Sequence, residues 1–107
     1  MNLERTNQTK AAITAVGGYV PDTILSNEDL EKMVDTNDAW ITSRTGIKER
    51  RILKDQDKPT SFLAIKAAQD LISKHDINAK SIDLVIVATI TPDMFVAATA
   101  AYVASSI

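Results

Sequence analysis

Residues 38–51 read DAWITSRTGIKERR, and they hold the side chains best equipped for chemistry in this chain. Trp40, the only tryptophan, stands four residues before Arg44. On a helix that spacing puts both on one face. An indole can stack on a flat heteroaromatic ring, and a guanidinium can grip phosphate through paired hydrogen bonds. Together they could hold a nucleotide-like group. The same spacing also fits a core tryptophan that Arg44 covers by a cation–π contact, and spacing alone favours that second reading. Lys48, Arg50 and Arg51 follow, alternating with Ile47, Glu49 and Ile52. This predicts the solvated face of a strand, because a nucleic-acid site would need a wider basic patch with interleaved aromatic residues.

Other polar groups offer less. Asp35-Thr36-Asn37-Asp38 could suggest a metal site, but a turn between two helices explains it better as capping. His75, the only histidine, falls in the last turn of a predicted helix and has no acid–base partner nearby in sequence. Thr91-Pro92-Asp93 follows an apolar run, where α/β proteins place ligands at strand ends, yet a simple turn before a helix accounts for it. Gly17-Gly18 does not form the GxGxxG of dinucleotide-binding proteins. It predicts a close backbone approach or an unusual turn.

These groups must be positioned by a single domain. The chain has 107 residues, 45% apolar and 24% charged, the composition of an ordinary globular protein. A chain of this length buries roughly 65% of its unfolded surface. The net charge of −2 supplies no global attraction to nucleic acid or to anionic membranes. With no cysteine there is no disulfide framework and no thiolate nucleophile or metal ligand. No apolar run reaches the ~20 residues of a membrane span. The first residues, MNLERTNQTK, fit neither a secretory signal nor a transit peptide, so a cytoplasmic protein is expected.

Along the chain, residues 1–10 read as a flexible lead-in and 11–107 as one partial domain. A buried strand is predicted over 11–16, before the two glycines. Ser26 to Asp29 forms an S-x-x-D capping box opening a helix over 26–34. A second helix, 38–45, should stop at Gly46. Residues 47–53 predict a strand and 54–59 a loop. Residues 60–75 predict a helix capped by Thr60 or Ser61, with Phe62, Ile65, Ala68 and Ile72 on one face. IDLVIVATI, 82–90, is the strongest strand, and 95–107 predicts an Ala-rich helix. The order is that of an α/β protein. A fully apolar strand needs neighbours on both edges, and only three strands are in view. The chain therefore reads as the first part of a larger α/β domain, which alone would expose sheet edge and apolar surface.

LEKMVDTNDAWITSRTGIKERR, with AAITAVGGYVPDTILSNEDL before it and TSFLAIKAAQDLI and IDLVIVATITPD after it, closely resembles the N-terminal signature of β-ketoacyl-acyl-carrier-protein synthase III. The resemblance runs from about Ala12 to the last residue, and its D-x-W…R-T-G-I-x-x-R block is specific. It implies a thiolase-like fold, two similar α/β halves stacked as αβαβα layers, of which this chain is the incomplete first part of the N-terminal half. It further implies a homodimeric acyltransferase. Such enzymes move an acyl group, often acetyl, from coenzyme A to a cysteine and condense it with malonyl-acyl carrier protein, starting fatty acid synthesis. Relatives that build secondary metabolites share the block less completely. Coenzyme A thioester is then a substrate, and no separate cofactor or metal is implied. Trp40 matches the tryptophan that stacks on adenine, Arg44 the arginine near the phosphates, and Thr36 a threonine that hydrogen-bonds adenine. No catalytic residue is carried over: His75 does not match the catalytic histidine, and the family's cysteine is expected shortly beyond residue 107. Alone, the segment is expected to be inactive. Val96-Ala97 also stand where the family often has Phe-Pro. The competing expectation is a self-standing module without catalysis, using the same wall to hold a nucleotide or coenzyme A, or using Lys48, Arg50 and Arg51 for interaction.

Overall fold

In a computed structural model, residues 10–107 are described. The lead-in expected over 1–10 therefore lies outside the described residues except for Lys10.

Ser26 organises the first unit. It ends strand β1 (Ile24–Ser26) and caps helix α1 (Asn27–Glu31). Its hydroxyl accepts from the Asp29 N–H at 3.1 Å, and the Asp29 carboxylate accepts from the Ser26 N–H at 3.2 Å. The capping box is thus closed as the sequence predicts, but α1 stops short of residue 34. Met33 and Val34 stay exposed, so no packing rewards a further turn.

Helix α2 (Asp38–Thr45) follows the expected bounds. Asn37 accepts from the Trp40 N–H at 2.8 Å, and Gly46, at φ 71°, donates to the Thr42 carbonyl at 2.8 Å. A left-handed residue at that position carries no steric cost only for glycine. Strand β2 (Glu49–Arg51) then pairs antiparallel with β1, Leu25 opposite Arg50. The strand expected over 47–53 is therefore shorter, limited by the three residues β1 offers.

Helix α3 (Thr60–His75) has the expected bounds but a different cap. Neither Thr60 nor Ser61 caps it. Pro59 is the N-cap residue and contributes no side-chain bond. Asp93 reaches back instead, its carboxylate accepting from the buried Ser61 N–H at 2.9 Å. The Thr60 hydroxyl donates to the Thr91 carbonyl at 2.6 Å. The Thr91-Pro92-Asp93 turn is thus a long-range clamp on the start of α3. Asp93→Ala is expected to cost about 1 kcal/mol, the usual value of a lost N-cap, read as a lower Tm of the intact protein. Asp93→Asn should lose less.

After a short 3-10 turn (Ala79–Ser81), helix α4 (Thr99–Ser106) lies against α3 and buries Val103. It begins four residues later than expected. Thr99 Oγ1 accepts from the Asp93 N–H at 3.3 Å at that point, and Met94, Phe95 and Val96 before it stand in solvent.

Two expected strands do not form. Residues 11–16 and 82–90 belong to no ladder among the described residues, whose sheet is the β1–β2 pair alone. A strand exists through its partner's hydrogen bonds, and these segments have no partner here. Their apolar side chains are correspondingly open: Ile13 is 89% exposed, Ile86 80% and Ile90 99%. The apolar surface expected of an incomplete domain is present. An open trough of about 540 Å³ runs between α3, residues 82–88 and α4, lined by Leu71, Ile72, Leu84, Ile86 and Val103 among others. The Cα radius of gyration is 19.6 Å, against ~13 Å for a compact chain of this length.

Residues 16–18 are nonetheless pinned on α3. The Gly18 N–H donates to Asp70 at 3.0 Å, and His75 Nε2 lies 2.9 Å from the Val16 carbonyl. His75 thus sits at the exposed helix terminus in a structural contact. Gly17 runs so close to Leu71 that a Cβ would fall 2.6 Å from its backbone. The close approach expected of the glycine pair belongs to Gly17; Gly18 has open space around its Cβ position.

Candidate functional site

Helix α2 turns one face inward and one outward. Ile41 is buried on the inner side, while Trp40 remains 54% exposed. The Arg44 guanidinium carbon lies 4.9 Å from the Trp40 ring centroid. The cation–π contact of the core reading is therefore present, but the tryptophan is not core. Arg44 covers part of the indole, and more than half of the side chain faces solvent. Thr36 is part-buried, two residues before α2 begins, at the Trp40 end of the helix. The three residues expected to hold a ligand thus belong to one turn-and-helix unit.

What fixes that unit is a residue the sequence reading passed over. Asn27 is 2% exposed. Its amide donates to the Asp38 carboxylate at 2.7 Å and to the Ile47 carbonyl at 2.8 Å, with Thr42 Oγ1 at 3.5 Å. Its carbonyl oxygen accepts from Arg50 at 2.8 Å, and its own N–H donates to the Lys48 carbonyl at 3.1 Å. Asp38 also accepts from Thr42 at 3.1 Å and pairs with Lys48 at 3.1 Å. The Asn27 amide first, then Lys48, hold the Asp38 carboxyl below the usual carboxylate range. A lowered pKa means the clamp is complete above the ordinary carboxylate range and loosens as pH falls through the folded-state value. The only hint in the sequence was the position of Asn27 directly after a cap; an asparagine in a first turn otherwise reads as solvated.

The basic run is less free than a solvated strand face. Arg50 is part-buried and also donates to the Leu25 carbonyl at 3.3 Å. Arg51 donates to the Asp22 carbonyl at 3.2 Å and to that of Pro21 at 3.4 Å. Lys48 and Arg51 remain exposed, as expected. Pairing β2 with β1 brings these carbonyls within reach, which the alternation alone did not reveal. The 35–38 turn is likewise engaged: Asn37 caps α2 and Asp38 joins the network. Among the described residues, no group of three or more His, Cys, Asp or Glu side chains is placed to hold a metal, and no helix is long and apolar enough to cross a membrane.

No family model matches the chain. Individual proteins do. It is 57% identical over 101 residues to the beta-ketoacyl-[acyl-carrier-protein] synthase III of Porphyromonas gingivalis, covering 94% of this chain and 30% of that protein. The structure is similar to the crystal structure of the corresponding synthase III from Thermus thermophilus, with TM-score 0.80 and 47% identity over 89% of this chain and 29% of that one. The 3-oxoacyl-[acyl-carrier-protein] synthase III of Aquifex aeolicus gives TM-score 0.78 and 43% identity over 85% of this chain and 29% of that one. The chain spans about 30% of the length of the curated relatives it matches.

Proposed function

We propose, for a chain that belongs to the β-ketoacyl-acyl-carrier-protein synthase III family and carries an incomplete first part of its thiolase-like α/β fold, that it forms one wall of a coenzyme A site in an acyltransferase. The whole enzyme would condense acyl-CoA, often acetyl-CoA, with malonyl-acyl carrier protein to start fatty acid synthesis. It would act as a cytoplasmic homodimer. One observation carries the assignment of the wall: Trp40 and Arg44 are held together on the outer face of α2, with more than half of Trp40 open to a ligand.

The chemistry divides between this wall and the rest of the enzyme. Adenine stacks on the open part of the indole. Arg44, already against the ring, turns its donors to the phosphates, and the Thr36 hydroxyl meets the adenine edge. The thioester end then points away from α2. The chain contains no cysteine, so the nucleophile that takes the acyl group comes from outside these 107 residues, and the segment alone does not turn over. Binding energy spent on the nucleotide end holds the thioester for that attack.

The test is turnover of acetyl-CoA with malonyl-acyl carrier protein by the full-length protein carrying this segment; no condensation product would overturn the reading. Arg44→Ala should raise the KM of acyl-CoA about tenfold, the loss of roughly 1.4 kcal/mol from charge-assisted phosphate contacts. It should leave a pantetheine thioester without phosphates nearly unchanged. Equal losses with both substrates would make Arg44 a structural residue. A self-standing module is not favoured, because Ile41 and Val103 are the only buried apolar side chains among the described residues.

A further inference from the structure

We infer that Asn27 is a positioning residue for the coenzyme-binding face of α2, setting where Trp40 and Arg44 stand without touching the ligand itself. The inference rests on the functional reading above.

The geometry is a bracket. One side chain binds the first residue of α2, Asp38, and the carbonyl of Ile47, just past its end. A helix held at both ends by one amide can neither slide along its axis nor swing about either end without breaking a short hydrogen bond. The amide is itself immobilised. Arg50 of β2 takes its oxygen, and its backbone N–H is bound to the Lys48 carbonyl. Trp40 and Arg44 lie between the two anchor points in sequence, and both stay exposed while Ile41 beside them is buried. A carboxylate or hydroxyl at position 27 could not serve both acceptors, since only a primary amide offers two N–H donors and one acceptor at that reach. Each bond is buried or part-buried, where an unmatched partner is costly. A ring-stacking site also needs its ring held to within about half an ångström. The capping box explains why Ser26 precedes this position, but it makes no use of the Asn27 side chain.

The experiment uses the full-length protein and titrates coenzyme A and an S-acyl pantetheine by calorimetry. Asn27→Ala is expected to weaken coenzyme A about tenfold and to leave the pantetheine thioester within about twofold, with circular dichroism unchanged. In a Trp40→Ala background the same substitution should add little, because the residue it positions is already gone. Asn27→Leu keeps the volume and removes both donors without setting a second carboxylate beside Asp38, and should behave the same way, so the test stands even if the alanine variant folds poorly. Either folded variant binding coenzyme A like the wild type would overturn the inference. So would equal losses for both ligands, or effects that add fully to Trp40→Ala. Wild-type protein that ignores coenzyme A would sink the functional reading, and this inference with it. Wild-type binding matched by the variants sinks the inference alone.

Discussion

Under the proposed function, Trp40→Ala in the full-length protein should raise the KM of acyl-CoA by about ten- to one-hundredfold. Base–aromatic stacking contributes roughly 1–3 kcal/mol per base, and each 1.4 kcal/mol is a factor of ten. The site is half open, so the middle of that range applies. The effect should be confined to the step that uses coenzyme A. Condensation with malonyl-acyl carrier protein, started from enzyme already carrying its acyl group, should change little, because the nucleotide has left by then. Trp40→Phe should recover part of the loss. Initial-rate kinetics with each substrate varied in turn would check this, and unchanged acyl-CoA kinetics would remove Trp40 from the site. The folded state should tolerate the substitution, since the inward face of α2 is carried by Ile41.

The largest effect on stability is expected from Gly17→Ala. A methyl group there would sit 2.6 Å from both the N and the Cα of Leu71, in the C-terminal third of α3. Backbone cannot rotate away as a side-chain tip can, so one segment must move. The 16–18 segment is the softer of the two. Moving it would break the Gly18–Asp70 bond at 3.0 Å and the His75–Val16 contact at 2.9 Å. Overpacking usually costs about 1–3 kcal/mol, and the lost bonds add to it. Denaturant unfolding of the intact protein should show a clear fall in midpoint at unchanged slope. Gly18→Ala is the control, since its Cβ would meet nothing. Equal stability of the two variants would refute the close approach.

The elements legible in the sequence carry their own instructions. Helix α2 has a side-chain cap at Asn37 and a glycine at its other end, both within ten residues. The box at Ser26 and Asp29 spans four. Such signals need no knowledge of the rest of the chain. The cap of α3 comes from Asp93, 32 residues away, and no local pattern announces it. Asn27 was missed because its meaning lies in Asp38, Ile47 and Arg50, which only folding brings to it. The segments 11–16 and 82–90 failed for the opposite reason. Their composition suits a buried strand, but strand structure is shared property, and neither has a partner among the described residues. At the site, spacing put Trp40 beside Arg44, as found, and misjudged only how deeply the indole lies. Periodicity shows which residues share a face, not which face the molecule covers.

The clamp between Asp93 and the start of α3 has a consequence during synthesis. Ribosomes extend a chain from its N-terminus at about 5–20 residues per second. In the relatives, of which the chain spans about 30%, a run at this position waits on the order of tens of seconds for the remainder to emerge. A long apolar run left free that long invites pairing with other nascent chains. Here Asp93, three residues past the run, is fastened to Ser61 at the start of α3, while the chain before the run has just left the other end of the same helix, where Ile77 bonds back to Ile72. The run is thereby held along the open trough beside α3 instead of trailing free. Weakening the clamp should first show as a lower yield of soluble protein.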